Sequence, residues 1–395
     1  MHVWHIGAEA SRASIGGVNF VVWLLAERQV AQGARVTMIV PDAPEPATLA
    51  AAAARGIEVV HVPQRHLLFD GKALRAALES HRPNVAVLHS VFLPRLIGAS
   101  GALHAAGIPQ MFMAHGALAE KAMHRSPIRK RLFVRFLERP RILRSAGVLL
   151  CTPSEAGDVR RVVPDYAGML ATLYNPIELD EFIAQPWEPP IGRPTALFIG
   201  RLDIEHKGID RLFALAHHMP EMDFHLYGNS DPRYEAAMRA LLKAAPPNLR
   251  LSPPIFGAEK IRAYAEATVL VQPSRWEGFP IIDAEAMAVG TPVAISTDVP
   301  LAQDLAAQDC GLLLPTETAA GVLALRAALA DRDRLHRISA NARHFAATNF
   351  HPDRQAAAHL DAYREAIAMA AANGNKRPAH GKTSTASPTV LHRRH

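Results

Sequence analysis

Short apolar runs rich in β-branched residues alternate along the first half of the chain with longer segments in which apolar residues recur every three or four positions. This alternation predicts βαβ units and a parallel sheet. The predicted strands cover residues 3–7, 36–40, 58–62, 85–89, 110–114, 148–152 and 171–174. The predicted helices include residues 18–32, 72–80 and 128–144.

The same alternation restarts after residue 194. Here the predicted strands cover residues 196–200, 223–228, 249–252, 268–272, 292–296 and 311–315, and the predicted helices cover residues 209–218, 233–244, 258–267 and 281–289. The chain beyond Pro315 is expected to be helical up to Ala372. Both halves are therefore expected to be α/β and doubly wound, with ligands at the carboxyl ends of strands and in a cleft between two domains.

Proline-rich and basic segments divide the chain into two domains, a linker and a tail. The dense prolines between Asn175 and Pro194 predict a linker over residues 176–194, between domains at 1–175 and 195–350. A last helix is expected over residues 351–372, followed by a disordered basic tail over residues 373–395.

Composition narrows the class of protein. With 395 residues, of which 49% are hydrophobic and 20% charged, the chain can bury two full cores, which excludes wholesale disorder and fibrous repeats. Two cysteines without zinc-type spacing favour a reducing cytosol. The N-terminus has no basic segment before an apolar one, and no apolar run approaches the ~20 residues that span a bilayer, so the protein is expected to be neither secreted nor membrane-spanning.

The positive excess is concentrated in one segment. The chain carries 43 Lys and Arg against 37 Asp and Glu, and residues 125–144 hold eight basic residues opposed only by Glu138. One interpretation is a solvated helix face whose apolar side packs into the first domain, and the other is peripheral docking on the anionic inner face of the plasma membrane. Nucleic acid is not expected because no recognition motif accompanies the charge. Pro140 is expected to end or kink the helix.

Two segments suggest anion binding. Gly16 and Gly17 follow the first strand and open a helix, so their backbone N–H groups can approach an anion, although an ordinary turn has the same pattern. Arg201 and Lys207 follow the first strand of the second half and could converge on a diphosphate leaving group, or could be surface charges on a solvated turn.

Two further segments suggest contacts with a polyhydroxylated ligand. Glu277 lies on a turn and Glu285 within the next helix, whose start at Ile281 and Ile282 would aim backbone N–H groups at a phosphate. The alternative for Glu285 is a structural ion pair. His115, at the end of a predicted strand, could hydrogen-bond a ligand or titrate near neutrality, or be structural.

Taken together, these segments resemble the retaining glycosyltransferases of family 4, which have the GT-B fold of two Rossmann-like domains facing across a cleft. The segments that carry the resemblance are Gly200-Arg201, Lys207-Gly208, Glu277-Gly278-Phe279, Glu285-Ala286-Met287-Ala288, Gly16-Gly17, His115-Gly116 and Ser154-Glu155. The spacing from Glu277 to Glu285 is the family's E-x7-E motif. The resemblance extends from Met1 to about Ala372. The segment Asn175-Pro176-Ile177-Glu178 departs from the family pattern of Asn-Gly, an aliphatic residue and Asp.

The resemblance implies a role for each candidate. Domain 1–175 would be the acceptor side, domain 195–350 would bind the nucleotide sugar, and helix 351–372 would return to the first domain. Arg201 and Lys207 would bind the donor diphosphate and Glu285 the ribose. The other assignments are Glu277 to the donor-sugar hydroxyls, His115 to the sugar near the reaction centre, and Gly16 and Gly17 to the phosphate and acceptor side.

The predicted activity is therefore retaining transfer of a hexose from a nucleotide-diphosphate sugar, GDP-mannose or a UDP-hexose, to a glycan or polyprenyl-linked acceptor in surface polysaccharide biosynthesis. No metal-binding Asp-x-Asp segment is expected in the chain, so no metal or other cofactor is required. A nucleotide-sugar 2-epimerase and a non-catalytic sugar-nucleotide-binding partner remain alternatives. A covalent intermediate, front-face attack and any oligomeric state also stay open.

Overall fold

The computed structural model describes residues 1–10, 16–123, 127–189 and 191–374. The chain forms two compact units. Unit 1 contains Met1–Pro176 and the last helix, Pro352–Gly374, and unit 2 contains Ile177–His351. Of the predicted tail over residues 373–395, residues 373 and 374 end that helix, and residues 375–395 lie outside the described ranges.

Unit 1 contains a parallel sheet of seven strands in the order β3-β2-β1-β6-β7-β8-β9, while β4 and β5 form a separate antiparallel pair. The elements are β1 (His2–Ile6), α1 (Gly17–Ala31), β2 (Arg35–Val40), α2 (Pro46–Ala53), β3 (Ile57–His61), β4 (Gln64–Arg65), β5 (Leu68–Phe69), α3 (Gly71–Ser80), β6 (Val85–His89), α4 (Pro94–Ala105), β7 (Gln110–Met113), α5 (Glu120–Met123), α6 (Pro127–Phe133), α7 (Arg139–Leu143), β8 (Gly147–Leu150), α8 (Glu155–Val162) and β9 (Met169–Thr172). All seven predicted strands are present, with ends displaced by at most two residues.

The central strands of unit 1 are buried on both faces. Every residue of β1, β6, β7 and β8 is buried, which explains why these strands are mostly apolar and do not alternate strictly between apolar and polar residues.

In the basic segment of unit 1, helical structure continues past Pro140. Helical structure continues from α6 through a π-helical turn, Val134–Glu138, into α7, and Pro140 lies inside α7. A proline lacks an N–H and its ring crowds the carbonyl four residues earlier, and the wider π turn directly before Pro140 relaxes both constraints. The prediction that Pro140 ends the helix was therefore wrong, whereas a kink at this point stays a prediction.

Unit 2 contains a second parallel sheet, of six strands in the order β12-β11-β10-β13-β14-β15. Its elements are α9 (Asp180–Ala184), β10 (Thr195–Ile199), α10 (Ile204–Lys207), α11 (Ile209–His218), β11 (Asp223–Tyr227), α12 (Glu235–Lys243), β12 (Leu249–Ser252), α13 (Gly257–Glu266), β13 (Val269–Gln272), α14 (Ile281–Val289), β14 (Val293–Ser296), α15 (Leu301–Ala307), β15 (Leu312–Leu314), α16 (Thr318–Ala330) and α17 (Arg332–Asn349). All six predicted strands are present.

The predicted linker is mostly packed against unit 2. Ile177 and Phe182 are buried, and Arg343 of α17 donates hydrogen bonds to the carbonyls of Ile183 at 2.7 Å and Gln185 at 3.1 Å. The prolines exclude long regular elements but do not prevent burial of apolar side chains. From Ile177 onward, the segment that the sequence predicts as a linker is therefore part of unit 2.

Helix α18 (Pro352–Gly374) is the last element and belongs to unit 1. It packs on α1, where Gln32 donates to the carbonyl of Asp353 at 2.7 Å and Gln29 donates to the hydroxyl of Tyr363 at 3.4 Å.

Candidate functional site

Two loops meet at the carboxyl edge of the sheet in unit 2. Strands β10 and β13 are parallel neighbours, so the loops that follow them emerge side by side. This brings Lys207 and Glu277 together, with 2.6 Å between the Lys207 Nζ and the Glu277 Oε1. Gly208 ends α10 with a φ of 67°, and a Cβ there would collide with the carbonyl of Pro273, so the close approach of these loops requires glycine.

Glu277 is buried and surrounded by donors. Its Oε1 accepts a hydrogen bond from the Ser274 hydroxyl at 2.7 Å, and its Oε2 lies 3.6 Å from the His206 Nε2. Burial opposes the negative charge, but the ammonium of Lys207 and the ring of His206 outweigh that effect and lower the pKa of Glu277 to about 2. Glu277 is consequently an anion and a hydrogen-bond acceptor at neutral pH.

Arg201 occupies a different setting from Lys207. Its side chain is 56% exposed, and its guanidinium lies 4.0 Å from Asp203 and 3.9 Å from Asp231. Arg233 holds the same two carboxylates more closely, at 3.2 Å and 2.5 Å. Arg201 and Lys207 therefore have different carboxylate neighbours, and their convergence on one diphosphate stays a prediction.

Glu285 has the contacts expected of a structural ion pair. It is buried, its Oε1 accepts from the Lys260 Nζ at 2.8 Å, and its Oε2 accepts from the Tyr264 hydroxyl at 2.8 Å. These contacts match the structural alternative, and binding of a ribose by Glu285 stays a prediction.

The first turn of α14 holds Ile281 and Ile282, both half-buried. The N–H groups of Asp283 and Ala284 already donate to the carbonyl of Pro280, at 3.0 Å and 3.3 Å, so the N–H groups of Ile281 and Ile282 precede the first bonded turn. Asp283 is fully buried, and neither of its carboxylate oxygens has a hydrogen-bond partner among the described residues. Burial, followed by the charge of Glu277, raises the pKa of Asp283 well above its usual range.

The sequence does contain an Asp-x-Asp segment, Asp331-Arg332-Asp333, at the start of α17. Its Asp331 accepts from the backbone N–H of Arg334 at 2.9 Å, which is the contact of a helix cap. Within the part of the chain that the structure describes, no group of three or more His, Cys, Asp or Glu side chains could hold a metal ion.

His115 lies at the carboxyl edge of the sheet in unit 1, just after β7. Its φ of 52° is unusual for a residue other than glycine, and it points one ring nitrogen, Nε2, at the Nδ1 of His89 at 3.0 Å. Burial and the nearby His359 lower the pKa of His115 to about 3. The prediction that His115 could titrate near neutrality was therefore wrong, because the ring is neutral throughout that range.

Gly16 immediately precedes α1, which begins at Gly17. Its φ of −175° is extended backbone that any residue adopts, and a Cβ added there would meet no atom of the described residues within 4 Å. The backbone conformation does not require glycine at this position, and no described residue fills the space beside it.

Several residues around these groups were not singled out from the sequence. They are His206, Ser274, Lys260, Tyr264 and Asp283 in unit 2 and Gln29, His5 and His89 in unit 1. A histidine within the predicted strand 3–7 and another at the end of the predicted strand 85–89 were the available signal for the last two, since neighbouring strands of a parallel sheet bring such residues together.

Two family models match the chain. The model described as Glycosyltransferase Family 4 matches residues 15–181, and the model described as Glycosyl transferases group 1 matches residues 180–345. Among solved structures, the chain resembles sucrose-phosphate synthase from Thermosynechococcus elongatus, with a TM-score of 0.75, 20% identity, and coverage of 93% of this chain and 99% of that one. It also resembles Anabaena HepE in complex with UDP and glucose, with a TM-score of 0.69, 15% identity, and coverage of 92% and 100%.

Two curated relatives are 32% identical over part of their lengths. A D-inositol 3-phosphate glycosyltransferase from Xylanimonas cellulosilytica aligns over 183 residues, or 45% of this chain and 43% of the relative. A phosphatidyl-myo-inositol mannosyltransferase from Mycolicibacterium smegmatis aligns over 152 residues, or 37% of this chain and 38% of the relative. The matched stretches therefore span less than half the length of either relative.

Proposed function

Because the chain belongs to glycosyltransferase family 4 and has the GT-B fold, we propose that it transfers a hexose from a nucleotide-diphosphate sugar to an acceptor hydroxyl with retention of anomeric configuration. The observation that carries the proposal is the Lys207–Glu277 pair at the carboxyl edge of the sheet in unit 2. It combines a cation suited to a leaving diphosphate with an anion suited to sugar hydroxyls.

Each group of the pair has a defined chemical task. Cleavage of the bond between C1 and the diphosphate develops positive charge on the sugar ring and negative charge on the leaving oxygens. Lys207, Arg201 and the N–H groups of Ile281 and Ile282 would stabilise the leaving oxygens. Glu277, which stays ionised because its pKa is about 2, would accept hydrogen bonds from the sugar and would not act as a general acid.

The donor and the acceptor are proposed on the basis of the relatives. We propose GDP-mannose or a UDP-hexose as donor, supported by a mannosyltransferase among the relatives and by UDP in a structural neighbour. The acceptor would be a glycan or a polyprenyl-linked sugar of a surface polysaccharide. The relatives differ here, since one is named for a phosphatidyl-inositol and the other for an inositol phosphate.

A donor screen followed by product analysis tests the proposal. One UDP-, GDP- or ADP-sugar should raise the melting temperature through mass action, and transfer from it should give a product whose anomeric NMR coupling matches that of the donor. Free epimer formed without acceptor would instead identify a 2-epimerase. Binding with neither transfer nor hydrolysis would identify a non-catalytic partner.

The basic segment of unit 1 supports a second proposal, that the protein docks on an anionic cytoplasmic membrane surface. Three large apolar side chains at a spacing of four residues are exposed, namely Ile128 (73%), Leu132 (51%) and Phe136 (63%). The exposed Arg131 and Arg135 precede the last two along the helix. The apolar stripe was expected to pack inward in the alternative interpretation, and this part of it does not.

The buried charges of this segment do not add to its basic surface. Glu138 and Arg141 are buried and paired with each other, so they contribute no net charge to the surface. Exposed apolar side chains beside cations are the pattern of an interfacial helix, in which each Lys or Arg near an anionic surface contributes roughly 1 kcal/mol. Among the described residues, no helix is both long and apolar enough to cross a bilayer. Arg125 lies outside the described ranges.

Liposome sedimentation tests the docking. Binding should require anionic lipid, weaken with salt, and decrease in the Arg131/Arg135→Glu variant, while activity on a water-soluble acceptor is retained. The matched control is Lys72/Arg75→Glu, which reverses two exposed charges on α3 of the same unit. It changes the net charge by the same amount as the test variant and should leave binding unchanged. Equal loss in both variants, or no binding to anionic vesicles, would contradict the docking.

A further inference from the structure

A line of polar side chains crosses the carboxyl edge of the sheet in unit 1. It begins at Gln29 of α1 and continues through His5 of β1, His89 at the end of β6, and His115 after β7. Strands β1, β6 and β7 are neighbours in the sheet, so three histidines far apart in sequence become adjacent. We refer to Gln29, His5, His89 and His115 as the histidine relay.

Continuous hydrogen bonds connect the relay. The Gln29 Oε1 lies 2.9 Å from the His5 Nε2, the His5 Nδ1 lies 2.9 Å from the His89 Nε2, and the His89 Nδ1 lies 3.0 Å from the His115 Nε2. Gln29, His5 and His89 are fully buried. Each contact between two rings joins two nitrogens, so it needs one protonated nitrogen and one bare nitrogen.

The three rings are neutral at physiological pH. Burial lowers the pKa of His5 to about 4, of His115 to about 3, and of His89 well below its usual range. A neutral imidazole has one donor and one acceptor, so the tautomer of one ring determines that of the next.

Gln29 determines which nitrogen donates and which accepts in each hydrogen bond of the histidine relay. Its amide oxygen can only accept, so the His5 Nε2 must carry the proton and the His5 Nδ1 must be bare. The His89 Nε2 must then donate to His5, and the His115 Nε2 must donate to His89. The amide nitrogen of Gln29 faces the Tyr363 hydroxyl at 3.4 Å, which is consistent with this orientation of the amide.

At the His115 end of the histidine relay, Cys151 does not determine which nitrogen of His115 carries the proton. The Nδ1 of His115 lies 3.9 Å from the Sγ of Cys151, which also lies 3.6 Å from the Oδ1 of Asn175. A thiol is a weak donor, and at these distances it has an alternative acceptor.

We propose that Gln29, His5 and His89 are positioning residues that hold His115 as the tautomer with a protonated Nε2, leaving its Nδ1 as a hydrogen-bond acceptor for a sugar hydroxyl. The sugar ligand rests on the proposed function, whereas the tautomer does not. The relay ends at an amide rather than at an acid or base, so it orients His115 and does not carry a proton away.

Long-range ¹H–¹⁵N spectra of protein labelled with ¹⁵N-histidine test the tautomer without substrate. The His115→Asn variant identifies the His115 signals. In the unmodified protein the Nε2 of His115 should be protonated and its Nδ1 bare, whereas Gln29→Leu should give a mixture of both tautomers. Gln110→Leu is the matched control, because Gln110 is a buried glutamine of the same unit that donates to the Ser100 carbonyl and takes no part in the relay.

A protonated Nδ1 in the unmodified protein, or His115 signals unchanged by Gln29→Leu, would overturn the proposal. If Gln29→Leu does not fold, His89→Gln should keep one donor and one acceptor and preserve the tautomer, whereas His89→Leu should not. In the enzyme assay, Gln29→Leu should lower kcat about tenfold with unchanged affinity for the nucleoside diphosphate. Absence of any transferase activity would contradict only the proposed function, since the spectra are independent of it.

Discussion

Arg201 and Lys207 have the same predicted role, but their surroundings predict different responses to substitution. Arg201→Ala removes an exposed side chain, and its buried neighbours Asp203 and Asp231 stay paired with Arg233, so turnover should fall about 10²-fold or more with an unchanged melting temperature. Lys207→Ala leaves the buried Glu277 without its ammonium, so it should cost about 3–5 kcal/mol of stability as well as turnover.

Thermal melts and steady-state kinetics of both variants check this difference. Arg239→Ala is the control, because it removes another exposed arginine of unit 2 whose carboxylate partner lies 3.4 Å away. Near-normal turnover in an Arg201/Lys207 double variant that remains folded would contradict the assignment of both residues.

At the residue scale, Glu155 should make the stability of the folded protein depend on pH. It is buried, its Oε2 accepts from the N–H of Cys151 at 2.7 Å, and burial raises its pKa to about 8. Between its unfolded value near 4.5 and about 8, the folded state binds more protons than the unfolded state, so this group lowers stability as pH rises through that window. Glu155→Gln should therefore gain stability relative to the parent protein from pH 5 to pH 8.

Urea unfolding at pH 5 and pH 8 measures that gain. The control is Glu317→Gln, because Glu317 is an exposed cap that accepts from the N–H groups of Ala319 and Ala320 and has a lowered pKa. A constant difference in stability between Glu155→Gln and the parent across this range would mean that Glu155 is ionised in the folded protein.

At the scale of elements, two helices begin directly after a glycine, but the backbone conformation requires glycine before only one of them. Gly16 before α1 is extended, and no described atom lies within 4 Å of a Cβ added there, whereas Gly208 before α11 has a φ of 67° and lies against the Pro273 carbonyl. Gly16→Ala should therefore keep its melting temperature and lose turnover by about tenfold or more if a ligand approaches the backbone at Gly16. Gly208→Ala should lose stability.

Melting temperature and turnover measured together distinguish the two cases. A stable Gly16→Ala variant with full activity would show that the glycine pair is an ordinary turn.

Elements were predictable from the sequence where burial alone determines them. The runs that form β6, β7 and β8 are mostly apolar because both faces of each strand are covered, so the local pattern was sufficient. The π turn before Pro140 was not predictable in this way, because the pattern shows only that proline disfavours an α-helix and not which local rearrangement accommodates it.

The candidate site was predictable only in its local parts. Glu277 and Glu285 were found because they lie eight residues apart in one motif, and Lys207 because it follows a strand. Their partners Tyr264 and Lys260, and the neighbours of His115, come from other elements. These contacts depend on the order of strands in each sheet, which no local pattern contains.

At the scale of the whole molecule, unit 1 depends on a segment that lies far from the rest of it in sequence. Truncation after His351 removes α18, uncovers the buried face of α1 and eliminates the contacts of Gln29 and Gln32. The truncated chain should therefore lose protection of unit 1 in hydrogen exchange, while the amides of β10 to β15 in unit 2 remain protected. Equal loss in both units, or in neither, would contradict this division of the chain.

The position of α18 also has a consequence for the order in which the protein is made. A ribosome synthesises Met1–Pro176 first, but the helix that completes this unit follows only after all of Ile177–His351 has been translated. At about 5–20 residues per second, nascent unit 1 must wait on the order of ten seconds or more with the apolar surface of α1 uncovered, while unit 2 can fold from contiguous chain. We therefore expect unit 1 to be the part of the nascent chain that exposes apolar surface for the longest time during biosynthesis.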